Sequence, residues 1–285
     1  MHLRMKPEVP HPHMWRYDFH LFYQAGQAVW AGTSPYLIPG FFSPYLLAVL
    51  FALFALFPEP LAYLIYLALS LLLVWKVLGR RGLWVLLSFP VFFGLFVGQV
   101  DLPLALLMAA GGPWAFPLAI IKPQVGFVVL PWLIRKASWK DLGRAALVSL
   151  ALLAVCFLLR PTWLSEWLAA TPALTQYARR DANLYWLVPT RFKTTAVAVG
   201  SIIALGVGFL LRERRDSWIV LHLIAPLTNI YSASVLAEWI GPLEAALSWL
   251  VMFLLGGDIH HGAPLFVVGL SIWGREIIER MKDKG

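Results

Sequence analysis

Charge is what this chain of 285 residues has least of: only 13% of its residues are Asp, Glu, Lys or Arg, where a water-soluble domain needs roughly a quarter. With 60% hydrophobic residues and a mean hydropathy of +0.73, water is excluded as its main solvent. Cysteine is scarcer still. Cys156 is the only one and sits in an apolar run, so no disulfide or thiolate metal site is available within the chain. The stretch Met1 to His13 has three prolines, three histidines and no apolar core, so it reads as neither signal peptide nor spanning helix. No phosphate-binding glycine loop, dinucleotide fingerprint, nucleophile elbow or zinc-protease motif is present.

Apolar runs approaching the roughly 20 residues of a bilayer span recur along the chain. Their number, about eight to ten, predicts an all-α, polytopic transmembrane bundle forming one membrane domain over residues 1–285. The net charge of +8 would suggest nucleic acid in a soluble protein. Here the basic residues gather in short connections, Arg80-Arg81, Arg135-Lys136 with Lys140 and Arg144, and Arg212, Arg214 and Arg215. That is the pattern of cytoplasmic loops facing anionic lipid, and no nucleic-acid partner is expected.

Residues 1–40 form a polar, interfacial opening, in which Asp18, Phe22, Ala25 and Val29 recur at helical spacing until Gly32, Ser34 and Pro35 end the helix. Expected apolar segments follow at Phe41–Phe57, Leu61–Leu78, Leu83–Val97, Leu102–Ala110, Trp114–Ile134, Leu142–Leu159, Thr194–Leu211, Trp218–Leu227, Ser234–Leu255 and Pro264–Trp273. Several are too short to cross alone, so broken or re-entrant helices are expected, with residues 98–123 as a candidate cavity wall. With the arginine-rich loops on the cytoplasmic side, Gly98–Asp101, the 160–193 loop and the opening segment fall on the other. That placement requires Phe41–Phe57 to lie partly in the interface or to enter the membrane and return.

Charged residues at membrane depth are functional candidates by default, and Asp18, Asp101 and Lys122 stand out. Asp18 lies among aromatics, where partial desolvation suits a general base; a helix cap or an ion pair with Arg16 would also place it there. Lys122 interrupts an apolar helix before Pro123, and its ammonium needs an anion: a lipid phosphate, Asp101, or an interface reached by snorkelling. Arg179, Arg180 and Arg191 in the long loop suit a phosphate or ordinary lipid headgroups, with Asn183 beside them. His20 is a candidate for the Asp18 site, whereas His260-His261 lacks a third ligand at useful spacing, so no metal site is assigned.

The segments Tyr17-Asp18-Phe19-His20, Ala31-Gly32-Thr33-Ser34-Pro35-Tyr36 and Phe42-Ser43-Pro44-Tyr45-Leu46, with Gly98-Gln99-Val100-Asp101 and Ile121-Lys122-Pro123 after them, carry a resemblance. In that order they resemble the GT-C membrane glycosyltransferases, above all the bacterial polyprenol-phosphate-mannose-dependent α-mannosyltransferases. The likeness covers about the first half of the chain. It implies a GT-C-like fold and transfer of a hexose, mannose by analogy, from a polyprenyl-phosphate donor to a glycan or lipid acceptor. Asp18 would be the base, and Lys122, Arg179, Arg180 and Arg191 would meet the donor phosphate. His20, Tyr36, Gln99, Asp101, Asn183 and Tyr231 would line the pocket. The implied setting is a bacterial or archaeal cytoplasmic membrane with the site on its outer face.

No cofactor is implied, and divalent-metal use is left open because His20 stands where one related mannosyltransferase has a second aspartate. A spanning helix ahead of the acidic residue is usual in these families and none precedes Asp18, so a partner chain supplying it is a further expectation. The alternatives from other classes are a lipid or small-solute transporter and a non-catalytic GT-C relative acting in a complex.

Overall fold

A computed structural model describes residues 15–111, 115–177, 192–211, 216, 230–254 and 263–282. Among them every regular element is helical, with no strand. Helix α1 (Tyr17–Trp30) buries Phe19, Phe22, Ala25, Gly26 and Ala28 on one face, and a 3-10 turn at Pro35–Leu37 follows it. Helix α2 (Tyr45–Phe54) spans ten residues, about 15 Å, or half a hydrocarbon core. It lies so close to α1 that a Cβ on Gly26 would overlap the Phe51 carbonyl, and Trp30 Nε1 donates to the Ala52 carbonyl at 2.7 Å. It is apolar but shorter than the helices long enough to cross a membrane.

Helix α3 (Glu59–Leu78) starts with Pro60 in its first turn, where proline's missing N–H has no partner to lose. It is stabilised at its ends by Glu59 and Lys76, each of the sign that the helix dipole favours there. Through Gly79–Arg81 it runs into α4 (Gly82–Leu87), and Glu59–Leu87 together are long and apolar enough to cross a membrane. Leu64, Leu69 and Leu72 on α3 are each at least half exposed, an arrangement suited to lipid rather than water.

The expected run Leu83–Val97 is divided at Ser88, whose hydroxyl bonds back to the Val85 carbonyl at 2.7 Å before Pro90 opens α5 (Phe89–Val97). Gly98, with φ +82°, then stops α5. Its N–H bonds to the Leu95 carbonyl at 3.1 Å and that of Gln99 to the Gly94 carbonyl at 2.7 Å, the pattern of a glycine C-cap. Helix α6 (Asp101–Ala109) leaves at 117° to α5. The pair makes an elbow with residues 98–100 at its apex.

The expected segment Trp114–Ile134 is likewise two helices, α7 (Ala115–Ile121) and α8 (Pro123–Lys136), separated at Lys122 because a residue before proline is held out of the helical region. Helix α9 (Trp139–Leu159), capped by Ser138 on the Asp141 N–H, is the second helix able to cross. Counting the elbow as one broken span gives up to three among the described residues, fewer than the number of apolar runs.

Helices α10 (Trp163–Tyr177) and α11 (Lys193–Leu210) follow. The expected run Ser234–Leu255 is not continuous: residues Ile230–Trp239 form a 3-10 segment, and α12 (Pro242–Leu254) begins anew after Gly241. Glu244, fully buried, ties these parts together by accepting from Gly241 N–H at 2.9 Å, Ser271 Oγ at 2.9 Å and Arg275 Nη1 at 3.1 Å. The last two belong to α13 (Ala263–Lys282), which continues past Trp273 into the charged stretch. Trp218–Leu227 lies outside the described residues.

Candidate active site at the elbow

Three chain breaks bring polar groups to one place. The α1 start presents Asp18, the elbow presents Gln99 and Asp101, and the α7–α8 break presents Lys122. Gln99 Nε2 donates to Asp18 Oδ2 at 2.9 Å, and Lys122 Nζ donates to Gln99 Oε1 at 2.6 Å and to Asp101 Oδ2. An ammonium can only donate, so Lys122 fixes which end of the Gln99 amide it meets; the N–H end is left for Asp18. Ser232, from the 3-10 segment, donates to Asp101 Oδ1 at 3.4 Å, and the Tyr66 hydroxyl of α3 donates to the Gln99 carbonyl.

The network is dry at one end and open at the other. Gln99, Asp101, Lys122 and Ser232 are all buried, and Asp101 is fully so. Asp18 is only partly covered, yet the apolar groups around it dominate its titration: desolvation pushes its carboxyl up to about 6, against the opposing pull of Lys122 and the Gln99 hydrogen bond. Lys122 and Asp101 compensate each other's charge, which is what permits both to lie so deep. A carboxyl that titrates at about 6 at a partly open position suits proton transfer.

Beside this network an apolar cavity of about 670 Å³ runs along α3, walled by Leu47, Phe51, Leu69, Leu73, Leu104 and Leu107 among others. Tyr66 lines it near the network and Lys76 lines it ten residues further on, roughly 15 Å along the helix axis.

Four of the sequence-derived candidates, Asp18, Gln99, Asp101 and Lys122, therefore meet. His20 does not join them. Residues two apart on a helix face different ways, and His20 Nδ1 instead lies 3.0 Å from Glu59 Oε2 on an exposed edge. Tyr36 belongs to a second cluster, in which Glu166 accepts from Ser34 Oγ at 2.5 Å, Thr162 Oγ1 at 2.5 Å and Arg160 Nε at 2.7 Å. The hydrogen bond from Arg160, with those from Ser34 and Thr162, holds the Glu166 carboxyl down at about 2, while burial raises the Tyr36 phenol above its ordinary range.

Arg179, Arg180, Arg191 and Asn183 lie outside the described residues, as does the side chain of Tyr231. Sequence reasoning missed Ser232 and Tyr66. Nothing local marks Ser232, but hydroxyls buried on one face of the otherwise apolar α3, Tyr63, Tyr66 and Ser70, are a readable signal. Among the described residues no three His, Cys, Asp or Glu side chains gather as metal ligands. Compared with known proteins, the chain matches no family model, no curated sequence and no solved structure.

Proposed function

We propose that this chain is a membrane glycosyltransferase of GT-C type, transferring a hexose, mannose by the resemblance, from a polyprenyl-phosphate donor to a glycan or lipid acceptor. In this reading the fold is a polytopic bundle in a bacterial or archaeal cytoplasmic membrane, with the elbow opening on the outer face. The observation that carries it is a partly open carboxyl, Asp18, with its ionisation pushed up to about 6, in a network whose neighbours Tyr66, Val100 and Ile121 line an apolar cavity of about 670 Å³. A sugar carried on a lipid phosphate needs a polar site for its head next to a dry groove for its tail.

Asp18 would take the proton of the acceptor hydroxyl as that oxygen attacks the anomeric carbon. The bond from that carbon to the phosphate oxygen breaks, and polyprenyl phosphate leaves with the electron pair. Gln99 orients the carboxylate, and the Lys122–Asp101 pair holds Gln99.

The direct test is Asp18→Asn in an assay with a polyprenyl-phosphate mannose donor, read by mass spectrometry of candidate acceptors. Loss of transfer in a folded variant is expected; unchanged turnover would remove Asp18 from the mechanism. The bent α5–α6 pair with a buried ion pair also suits a lipid transporter. Movement of labelled lipid across vesicles without any sugar transfer would favour that alternative.

A further inference from the structure

Arg16 stands two residues before Asp18, with a backbone that is the described chain's one non-glycine residue at positive φ, 62° with ψ 18°. A long side chain in the left-handed region is a strained arrangement that must be held from outside. It is held on both sides, by its N–H donating to the Phe96 carbonyl at 3.0 Å and its carbonyl accepting from the His20 N–H at 2.8 Å.

The strain sets the guanidinium on an aromatic shelf. Its central carbon lies 4.2 Å from the Trp15 ring centre and 5.9 Å from that of Tyr63, whose rings meet edge to face. Rings satisfy the faces of a guanidinium. Its N–H edge, which lies in the plane, still requires an oxygen acceptor. Among the described residues Arg160 faces Glu166, Arg275 faces Glu244, and Arg135 donates to the carbonyls of Phe209 and Leu211. Arg16 has rings but, among the described residues, no acceptor, and its Nε is buried without a partner there. A buried guanidinium nitrogen in that condition is costly unless an anion arrives.

Its position says where that anion would sit. Tyr63 and Tyr66 are three residues apart on α3, on one face and about 5 Å apart along the axis. Tyr63 is under Arg16, and Tyr66 holds the Gln99 carbonyl. Lys122, in contrast, already faces Asp101.

We propose that Arg16 is the phosphate receptor of the elbow site, receiving a phosphate ester edge-on with Trp15 and Tyr63 as its platform. This rests on the glycosyltransferase reading for its meaning but not for its test. The phosphate has two sources, a lipid-phosphate substrate or product and the headgroups of the surrounding membrane.

The experiment compares binding of farnesyl phosphate and farnesol, identical tails with and without phosphate, to the full chain in phosphatidylcholine nanodiscs. The wild type is expected to prefer the phosphate by roughly tenfold or more. Arg16→Met should bring the ratio near one, and Arg16→Lys, which keeps the charge but not the fork, should leave part of it. An undiminished ratio in a folded Arg16→Met overturns the proposal. Should that variant fail to fold, phenylglyoxal modification of wild-type Arg16 decides: farnesyl phosphate must slow it and farnesol must not, and equal rates overturn the assignment.

Added phosphatidylglycerol separates the sources. A preference that disappears assigns the seat to headgroups, and one that persists assigns it to the lipid phosphate. An Arg16-dependent preference in a wild type that transfers no sugar would sink the transferase alone; transfer with an Arg16-independent preference would sink the receptor alone.

Discussion

Gly98 meets the backbone of Phe19 so closely that a Cβ added to it would lie 2.9 Å from the Phe19 nitrogen and closer still to its side chain. This contact seats the start of α1 on the elbow and brings Asp18 within reach of Gln99. Gly98→Ala is expected to cost about 1–3 kcal/mol for the overlap and roughly 1–2 kcal/mol more for the left-handed backbone. A lower thermal midpoint in detergent, with loss of any sugar transfer, would confirm it; an unchanged midpoint would show that the two helices do not touch there.

Asp18 predicts a pH dependence with a definite sign. Its carboxyl, raised to about 6 chiefly by desolvation, favours the protonated form in the folded chain. The stabilisation it contributes is therefore full below the ordinary carboxylate value of 3.8 and is lost as pH rises through about 6. Asp18→Asn should consequently be as stable as the wild type in acid and more stable at pH 8. Transfer should run the other way, falling below about pH 6 as the base becomes protonated, and a profile flat between pH 5 and 8 would count against the assignment.

The Lys122–Asp101 pair should behave as a unit. Removing either partner strips a buried charge of its nearest counter-charge, so Lys122→Met or Asp101→Leu alone is expected to cost about 3–5 kcal/mol, and the double variant much less than the sum. Chemical denaturation of the two single variants and the double variant measures this. Additive losses would mean that the pair carries no mutual stabilisation.

Glu166 offers a contrast to Asp18, because hydrogen bonds from Arg160, Ser34 and Thr162 depress its carboxyl to about 2. Its contribution is present above the ordinary value of 4.5 and lost as pH falls toward 2. Glu166→Gln should loosen the Ser34–Tyr36 turn by about 1 kcal/mol at neutral pH, a small figure because the group is partly solvated. Faster amide exchange at Tyr36, whose N–H donates to Ser34 Oγ at 3.3 Å, would report it.

Much of the candidate site could be read from prolines and glycines. Gly98 announced a helix end, because glycine adopts the left-handed backbone that stops one, and Pro123 announced the break that presents Lys122, because the residue before proline is held out of the helix. The end of α1 was legible for the same reason, at Gly32 with φ +67°. What sequence could not supply was the meeting of distant segments: Ser232 reaches Asp101 across 131 residues, and no local pattern encodes that distance. His20 misled through proximity in sequence, since a helix turns neighbours two apart to different sides. The run from Ser234 misled through composition, for apolar content alone does not distinguish a 3-10 segment and a helix from one continuous span.

Gln99 also determines where a proton can go. Its amide gives a hydrogen bond to Asp18 and takes one from Lys122, but an amide holds its own protons and does not hand them along as a hydroxyl or a water would. It therefore acts as an insulator between two carboxylates that share a hydrogen-bonded chain. No proton passes along that chain to the sealed Asp101, and one collected by Asp18 leaves by the open side through which it came.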